Sequence, residues 1–159
     1  MKLKGVIFED FVNYKYPSMV LEFPKCTFKC DKECGIPVCQ NSSLVNEPDI
    51  EVDTYELVRR YVDNPITHAV IAQGLEPFDS FPDLHWFICV LREVFYCSDP
   101  VVIYTGYNKD EIQMQINELI YLENIIIKYG RFIPGHTPHY DSVLGVNLAS
   151  DNQYAERIS

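Results

Sequence analysis

The chain lacks a long uninterrupted run of apolar residues, and its first residues lack the pattern of a cleavable leader. Residues 1–4 lead directly into a short apolar stretch at 6–8, with no extended apolar segment and no small-residue cleavage site behind it. No apolar run approaches the roughly 20 residues that span a bilayer. We therefore expect a soluble, cytoplasmic protein with no membrane partner.

Basic residues are also scarce. Lys and Arg number 13 against 23 Asp and Glu, which gives a formal net charge of −10. Binding to the phosphates of nucleic acids requires a basic surface, so we expect no nucleic-acid partner. Internal repeats and low-complexity segments are missing as well. The 159 residues, 47% of them hydrophobic, are enough for one core, and we expect a single domain over residues 1–159.

Cysteine, in contrast, is concentrated in one short segment. Four of the six cysteines lie within residues 26–39, namely Cys26, Cys30, Cys34 and Cys39. Thiolates this close in sequence repel one another unless a soft metal or disulfide pairing holds them. Disulfides do not persist in a reducing cytoplasm, so the cluster indicates metal or redox chemistry. Cys89 and Cys97 are expected to be buried, structural thiols.

Short β-branched runs alternate with helical patterns along the chain. Strands are predicted at 6–8, 18–23, 68–73, 101–105, 124–128 and about 143–148. Helices are predicted after the capping residues Asp53 and Asn108 and through Pro82. This alternation predicts an α/β fold with a mostly parallel sheet, whose functional loops gather at the carboxyl ends of the strands.

Four segments in order resemble those of the radical S-adenosylmethionine (SAM) enzymes. They are the cysteine loop, Gly74-Leu75-Glu76-Pro77 after the next core strand, Ile103-Tyr104-Thr105-Gly106-Tyr107 after the third, and Asn152-Gln153 near the end of the chain. Within that superfamily the chain most closely resembles the small activating enzymes of anaerobic ribonucleotide reductase, and the similarity covers nearly its whole length.

The resemblance implies a partial (β/α) barrel of the radical SAM type and an oxidoreductase activity. Three cysteines would hold a [4Fe-4S] cluster with one open iron, to which SAM binds. A flavodoxin or ferredoxin would supply the electron that splits SAM. The resulting radical would take a hydrogen from a glycine of an anaerobic ribonucleotide reductase-like partner. The implied cluster ligands and catalytic thiolates are Cys26, Cys30 and Cys39. The implied SAM-binding residues are Gly74, Glu76, Pro77, Thr105, Gly106 and Asn152.

The third cluster ligand is where the sequence departs from the family. The family spacing C-x3-C-x2-C would place it at Glu33, whereas Cys34 comes one residue later and Cys39 six residues later. We favour Cys39, because Cys39-Gln40-Asn41 resembles the Cys-aromatic-Asn that closes the family motif. Cys34 remains the alternative ligand.

Two further departures concern the SAM loop and the partner. Leu75 replaces the second glycine of the family's Gly-Gly-Glu-Pro loop, so the implied SAM contacts rest on Gly74, Glu76 and Pro77. We expect Gly74 to lie where the backbone approaches the ligand closely. Residues 10–14 replace a glycine-rich segment common in the family, which leaves the identity of the partner open.

Two other classes of protein fit parts of the pattern. One is a zinc-binding adaptor, in which all four clustered cysteines would close a tetrahedral site. Its weakness is spacing, because structural zinc sites usually pair two separated cysteine knuckles. The other is a radical SAM enzyme that acts on a small molecule. The shortness of the chain favours a protein partner that supplies part of the active site.

Overall fold

A six-stranded, mostly parallel sheet forms the centre of the computed structural model, which describes all residues 1–159. Its order is β10-β7-β6-β5-β3-β2, where β3, β5, β6 and β7 are parallel and the edge strands β2 and β10 are antiparallel. The strands are β1 (Lys2–Leu3), β2 (Gly5–Asp10), β3 (Ser18–Phe23), β4 (Ile50–Glu51), β5 (Val70–Gly74), β6 (Val101–Tyr104), β7 (Ile125–Tyr129), β8 (His139–Asp141), β9 (Val146–Leu148) and β10 (Tyr154–Arg157).

Four α-helices connect the strands, and their ends follow the capping residues in the sequence. They are α1 (Lys29–Cys34), α2 (Thr54–Val62), α3 (Phe81–Cys89) and α4 (Gln113–Leu119). Asp53 caps α2 by accepting a bond from the Glu56 amide at 2.9 Å. Asn108 and Glu111 form a complete capping box over a 3-10 turn that leads into α4. No helix is long and apolar enough to cross a membrane.

The two faces of the sheet are covered differently. The larger core cluster joins one face of the parallel strands to α2, α3 and α4. The smaller cluster lies on the other face, where the β2–β3 loop and the β8–β9 hairpin pack against the strands through Tyr14, Leu144 and Leu148. Because the four parallel strands follow one another in sequence order with the helices on one face, their carboxyl ends form one continuous edge.

The α/β class and the mostly parallel sheet are as predicted, but three local elements differ from the expectation. The predicted strand at 143–148 is shorter, and as β9 it pairs with β8 outside the main sheet. Residues 154–157, expected to be a tail, form β10 and pair with β7. The cysteine loop contains the helix α1, because the Gly35 amide closes its last turn on the Asp31 carbonyl at 2.9 Å.

Candidate functional site

The cysteine loop, residues 24–40, leaves the carboxyl end of β3 and folds back on itself. Gly35 ends α1 in a left-handed conformation with φ of 70°, which glycine adopts without strain. The returning chain is then fixed by Asp31, whose Oδ1 atom accepts bonds of 2.8 Å from the Val38 and Cys39 amides. These two hydrogen bonds to one carboxylate bring Cys39 back beside the start of α1.

Three of the four clustered thiols share one cavity. Cys26, Cys30 and Cys39 line a space of about 70 Å³, which we name the thiol cavity, and Cys34 does not line it. Burial raises the pKa of Cys26 to about 12, and burial together with the neighbouring Cys39 raises the pKa of Cys30 to about 11. These thiols therefore stay protonated at neutral pH unless a cation binds and displaces the protons.

The spacing of the thiols limits the kind of metal group that they fit. No three His, Cys, Asp or Glu side chains lie close enough together to hold a single metal ion. A tetrahedral zinc site requires four ligands around one point. An iron–sulfur cube binds each thiolate at a different iron, so its ligands stand further apart. Cys26, Cys30 and Cys39, which border one cavity, are the candidate donors for such a group.

The Gly74-Leu75-Glu76-Pro77 segment contacts the cysteine loop through its backbone. The Asn41 side-chain amide donates to the Gly74 carbonyl at 2.7 Å, and the Glu76 amide donates to the Lys25 carbonyl at 2.7 Å. Gly74 has φ of +100°, and a Cβ added there would lie 2.7 Å from the Phe23 amide nitrogen. The need for glycine at this position therefore comes from the close approach of β3, and not only from a ligand as the sequence suggested.

Glu76 is buried and binds groups inside the protein. Its carboxylate accepts bonds from Thr105 Oγ1 at 2.8 Å, the Gly106 amide at 2.9 Å and the Phe78 amide at 3.1 Å. Burial raises the pKa of Glu76 to about 7, although these three donors oppose the shift. The side chain connects the loop after β5 to the loop after β6. Its carboxylate is therefore occupied by groups of the protein itself.

Two cations from different elements surround Tyr107 at the rim of the thiol cavity. Lys29 of α1 lies 4.6 Å from the ring centroid, and Arg131 lies 6.0 Å from it. Both cations pair with Glu111, at 3.0 Å and 2.7 Å respectively. The hydrogen bond from Arg131 is the main cause that lowers the pKa of Glu111 to about 2. The network fixes α1 to the loop after β7.

A row of polar side chains lies beside the thiols on the less covered face of the sheet. Gln73, Tyr104 and Lys128 are adjacent across β5, β6 and β7, and they line a second space of about 170 Å³, the polar cavity. Lys128 is buried, which lowers its pKa to about 8, and it donates to the Gly130 carbonyl at 2.9 Å. Cys30 and Cys39 border this cavity as well.

The structure places most, but not all, of the expected cofactor-binding residues at these cavities. Gly74 and Thr105 line the polar cavity, Glu76 lines the thiol cavity, and Gly106 lines both. Pro77 begins a buried 3-10 turn and lines neither. Asn152 is exposed, lines neither cavity, and donates to the carbonyl of Arg131 at 2.9 Å. Its neighbour Gln153 lines the polar cavity instead.

Lys128 and Arg131 line the site but were not among the predicted site residues, and both left a signal in the sequence. Lys128 is a lone charge after three isoleucines in a buried strand, and Arg131 follows the next glycine. Buried charges without a full set of partners are unusual outside functional sites. Gln153 and Asn41 also line the polar cavity, and the sequence named both within the family-like segments Asn152-Gln153 and Cys39-Gln40-Asn41 without listing them as site residues.

The other two cysteines lie away from the site. All six cysteines are free thiols. Cys89 on α3 has its sulfur 3.6 Å from His85 Nδ1, and Cys97 follows the irregular end of the same helical segment. Both are only partly buried, whereas the sequence led us to expect full burial.

Comparison with known proteins gives no further identification. No protein-family model matches the chain, and neither a curated protein nor a solved structure matches it significantly.

Proposed function

We propose that the protein is a radical SAM enzyme whose [4Fe-4S] cluster is held by Cys26, Cys30 and Cys39. The observation that carries the proposal is the convergence of these three thiols with the loops after β5 and β6 at one edge of a parallel sheet. The resemblance in sequence implies that SAM binds at this same edge of the sheet. In this proposal the sheet and its helices are a partial (β/α) barrel of the radical SAM type.

When bound, the cluster would supply one electron for the reductive cleavage of SAM. The chain's own part is to prepare the site. Burial and mutual proximity keep the thiols protonated, so cluster binding releases protons. Lys29 and Arg131 at the rim are both paired with Glu111, and Arg131 also lies 3.2 Å from Glu33, so these cations and carboxylates balance in charge.

SAM binding would rest mainly on backbone and on polar side chains of the polar cavity. Gly74, Thr105 and Gly106 line that cavity, and the Glu76 carboxylate accepts hydrogen bonds from Thr105 Oγ1 and the Gly106 amide. Small-molecule pockets usually measure about 300 Å³ or more. The polar cavity of about 170 Å³ is smaller, so a complete SAM molecule would extend beyond it.

We further propose that the substrate is a glycine of an anaerobic ribonucleotide reductase-like partner. The 159 residues form the six-stranded sheet, two two-stranded sheets and the helices. A partner that inserts a backbone segment at the open edge would complete the site. A flavodoxin or ferredoxin would supply the electron.

The test begins with anaerobic reconstitution of the protein with iron and sulfide. The expected product is brown, contains about four irons per chain, and releases 5′-deoxyadenosine when SAM and a strong reductant are added. A colourless protein with stoichiometric zinc and no SAM cleavage would overturn this proposal and support the zinc-binding adaptor instead. Cys89→Ser is the matched control, because that thiol lies outside the site and its loss should change neither iron content nor cleavage.

A second experiment separates the protein partner from a small-molecule substrate. Incubation of the reconstituted protein, SAM and reductant with an anaerobic ribonucleotide reductase should produce a glycyl radical signal in electron paramagnetic resonance. SAM cleavage without that signal, across reductases tested, would favour a small-molecule substrate.

A further inference from the structure

The backbone between Cys26 and Cys30 adopts a conformation that is unfavourable by itself. Phe28 has φ of 53° and ψ of 43°, a left-handed conformation that bulky residues rarely adopt. Phe28 stands at the start of α1, and no side chain caps that end of the helix. Within the loop, the Phe28 amide donates to the Cys26 sulfur at 3.2 Å. A strained conformation of this kind persists only where the surrounding structure holds it.

Asp79 holds this segment from a different loop. It lies in the 3-10 turn Pro77–Ser80, which follows the end of β5. Its Oδ2 atom accepts a hydrogen bond from the Thr27 amide at 2.8 Å, directly before Phe28. Its Oδ1 atom accepts a hydrogen bond from the Tyr107 hydroxyl at 2.6 Å. One carboxylate therefore connects the loops that follow β3, β5 and β6.

The two partners of Asp79 belong to the thiol cavity. Thr27 and Tyr107 line that cavity together with Cys26, whereas Asp79 itself does not line it. The hydroxyls of Thr27 and Tyr107 lie 3.4 Å apart. Burial is the main cause that raises the pKa of Cys26 to about 12, and the charges of Glu76 and Asp79 add to the shift. Asp79 is thus close to the thiol but acts on it through other residues.

We propose that Asp79 is a positioning residue, which holds the segment from Cys26 to Phe28 in place through the Thr27 amide and the Tyr107 hydroxyl. This rests on the proposed function, in which Cys26 is a cluster ligand. Loss of Asp79 would displace that ligand without removing it. Asp79 lies two residues beyond the family-like Gly74-Leu75-Glu76-Pro77 segment, and the resemblance in sequence assigns it no role.

The first test measures alkylation of Cys26 by iodoacetamide in the iron-free protein, with mass spectrometry to identify the labelled thiol. Asp79→Ala and Asp79→Asn both remove the carboxylate charge, which contributes to the raised pKa of Cys26. Asparagine can still accept from the Thr27 amide and donate to the Tyr107 oxygen, whereas alanine can do neither. The difference between the two variants therefore isolates the hydrogen bonds. Alkylation should be about three- to tenfold faster in Asp79→Ala than in Asp79→Asn.

Tyr107→Phe tests the same connection without a change of charge. It removes only the hydroxyl, so alkylation of Cys26 should be faster than in the wild type, and this comparison decides if Asp79→Ala does not fold. Asp83→Ala is the matched control, because Asp83 is a partly exposed carboxylate at the start of α3, four residues further along the chain. Its loss should leave the rate unchanged. Cys89, a partly exposed thiol away from the site, is the reference within each sample.

Iron loss from the reconstituted protein provides a second readout. A ferrous chelator should remove iron from Asp79→Ala at least about threefold faster than from Asp79→Asn. Equal alkylation of Cys26 in these two variants would overturn the proposal, and so would a wild-type rate in Tyr107→Phe or an equal increase in Asp83→Ala. Failure of the proposed function is distinct, because it would appear as a wild type that takes up no cluster, while alkylation of the iron-free protein would still decide whether Asp79 holds Cys26.

Discussion

The choice between Cys39 and Cys34 depends on the return of the chain to Asp31. Cys39 borders both cavities and contributes to the raised pKa of Cys30, whereas Cys34 borders neither cavity. We expect Cys39→Ala to lose most of the iron, since two thiolates are too few for the cube, and Cys34→Ala to keep it. Iron analysis after anaerobic reconstitution measures this directly. Loss in Cys34→Ala with retention in Cys39→Ala would reverse the assignment.

Glu76 should make stability depend on pH. Burial raises its pKa from an ordinary 4.5 to about 7 in the folded protein, so the folded state binds the proton more tightly than the unfolded state. The contribution of this group is therefore fully present below about pH 4.5 and is lost as pH rises through about 7. From the size of the pKa shift, the free energy of unfolding should change by an amount on the order of 3 kcal/mol.

Urea unfolding between about pH 4.5 and pH 7 gives the free energies of unfolding of the wild type and of Glu76→Gln. Their difference at each pH measures the contribution of the carboxyl group. The wild type should lose stability relative to the variant as pH rises, because the amide does not titrate. Glu118→Gln, at an exposed carboxylate on α4, is the control and should show no such trend. A constant difference between wild type and Glu76→Gln would show that the carboxyl group does not carry the raised pKa.

At the scale of elements, the contact between β3 and β5 is the tightest support of the site. A side chain at Gly74 would meet the Phe23 amide nitrogen at 2.7 Å in a strained left-handed backbone, whereas a Cβ at Gly106 would meet its nearest neighbour at 3.7 Å. We expect Gly74→Val to cost about 3 kcal/mol or more and Gly106→Ala less than about 1 kcal/mol.

The same pair of variants tests whether β5 supports the cysteine loop. Because β3 leads directly into that loop, Gly74→Val should also reduce the iron content, which Gly106→Ala should preserve. Urea unfolding and iron analysis provide the two readouts. Normal iron content in Gly74→Val would mean that the glycine serves only a bound ligand, as the sequence alone suggested.

Elements with a strong pattern were predictable, and those fixed by a single distant contact were not. The apolar runs of β5, β6 and β7 and the capping residues Asp53 and Asn108 identify their elements from local sequence. Helix α1 is only six residues long, below the length at which periodicity is informative. Strand β10 depends on pairing with β7, and nothing within its four residues marks it as a strand.

At the scale of the molecule, the sequence predicts which loops meet at one edge of the sheet but not how their side chains pair. Parallel strands in sequence order bring the loops after β3, β5 and β6 to one edge, which the alternation of elements predicts. The pairing of Lys29 and Arg131 with Glu111 joins residues up to 102 positions apart, at 3.0 Å and 2.7 Å. No local pattern encodes a contact of that kind. It depends on how α1 packs against the loop after β7.

The division between core and site also predicts how the molecule responds to metal removal. Neither core cluster contains a residue of the cysteine loop, and α1 has no buried residue. We therefore expect the fold to form without the proposed cluster, in contrast to small zinc domains that unfold without metal. We expect the iron-free protein to retain cooperative unfolding, with a melting temperature within about 5 °C of the reconstituted form, a shift that corresponds to about 1 kcal/mol or slightly more.

Metal removal should change the cysteine loop more than it changes the rest of the fold. Without the proposed cluster, Cys26 and Cys30, whose pKa values are raised, would be neutral thiols with no common centre to hold the loop. Amide hydrogen exchange in residues 26–39 should therefore accelerate at least tenfold on metal removal, while the amides of β5, β6 and β7 remain protected. Circular dichroism and exchange mass spectrometry on the same samples compare the two scales. Loss of the whole far-ultraviolet signal on chelation would contradict this division, because it would mean that the metal organises the core as well as the loop.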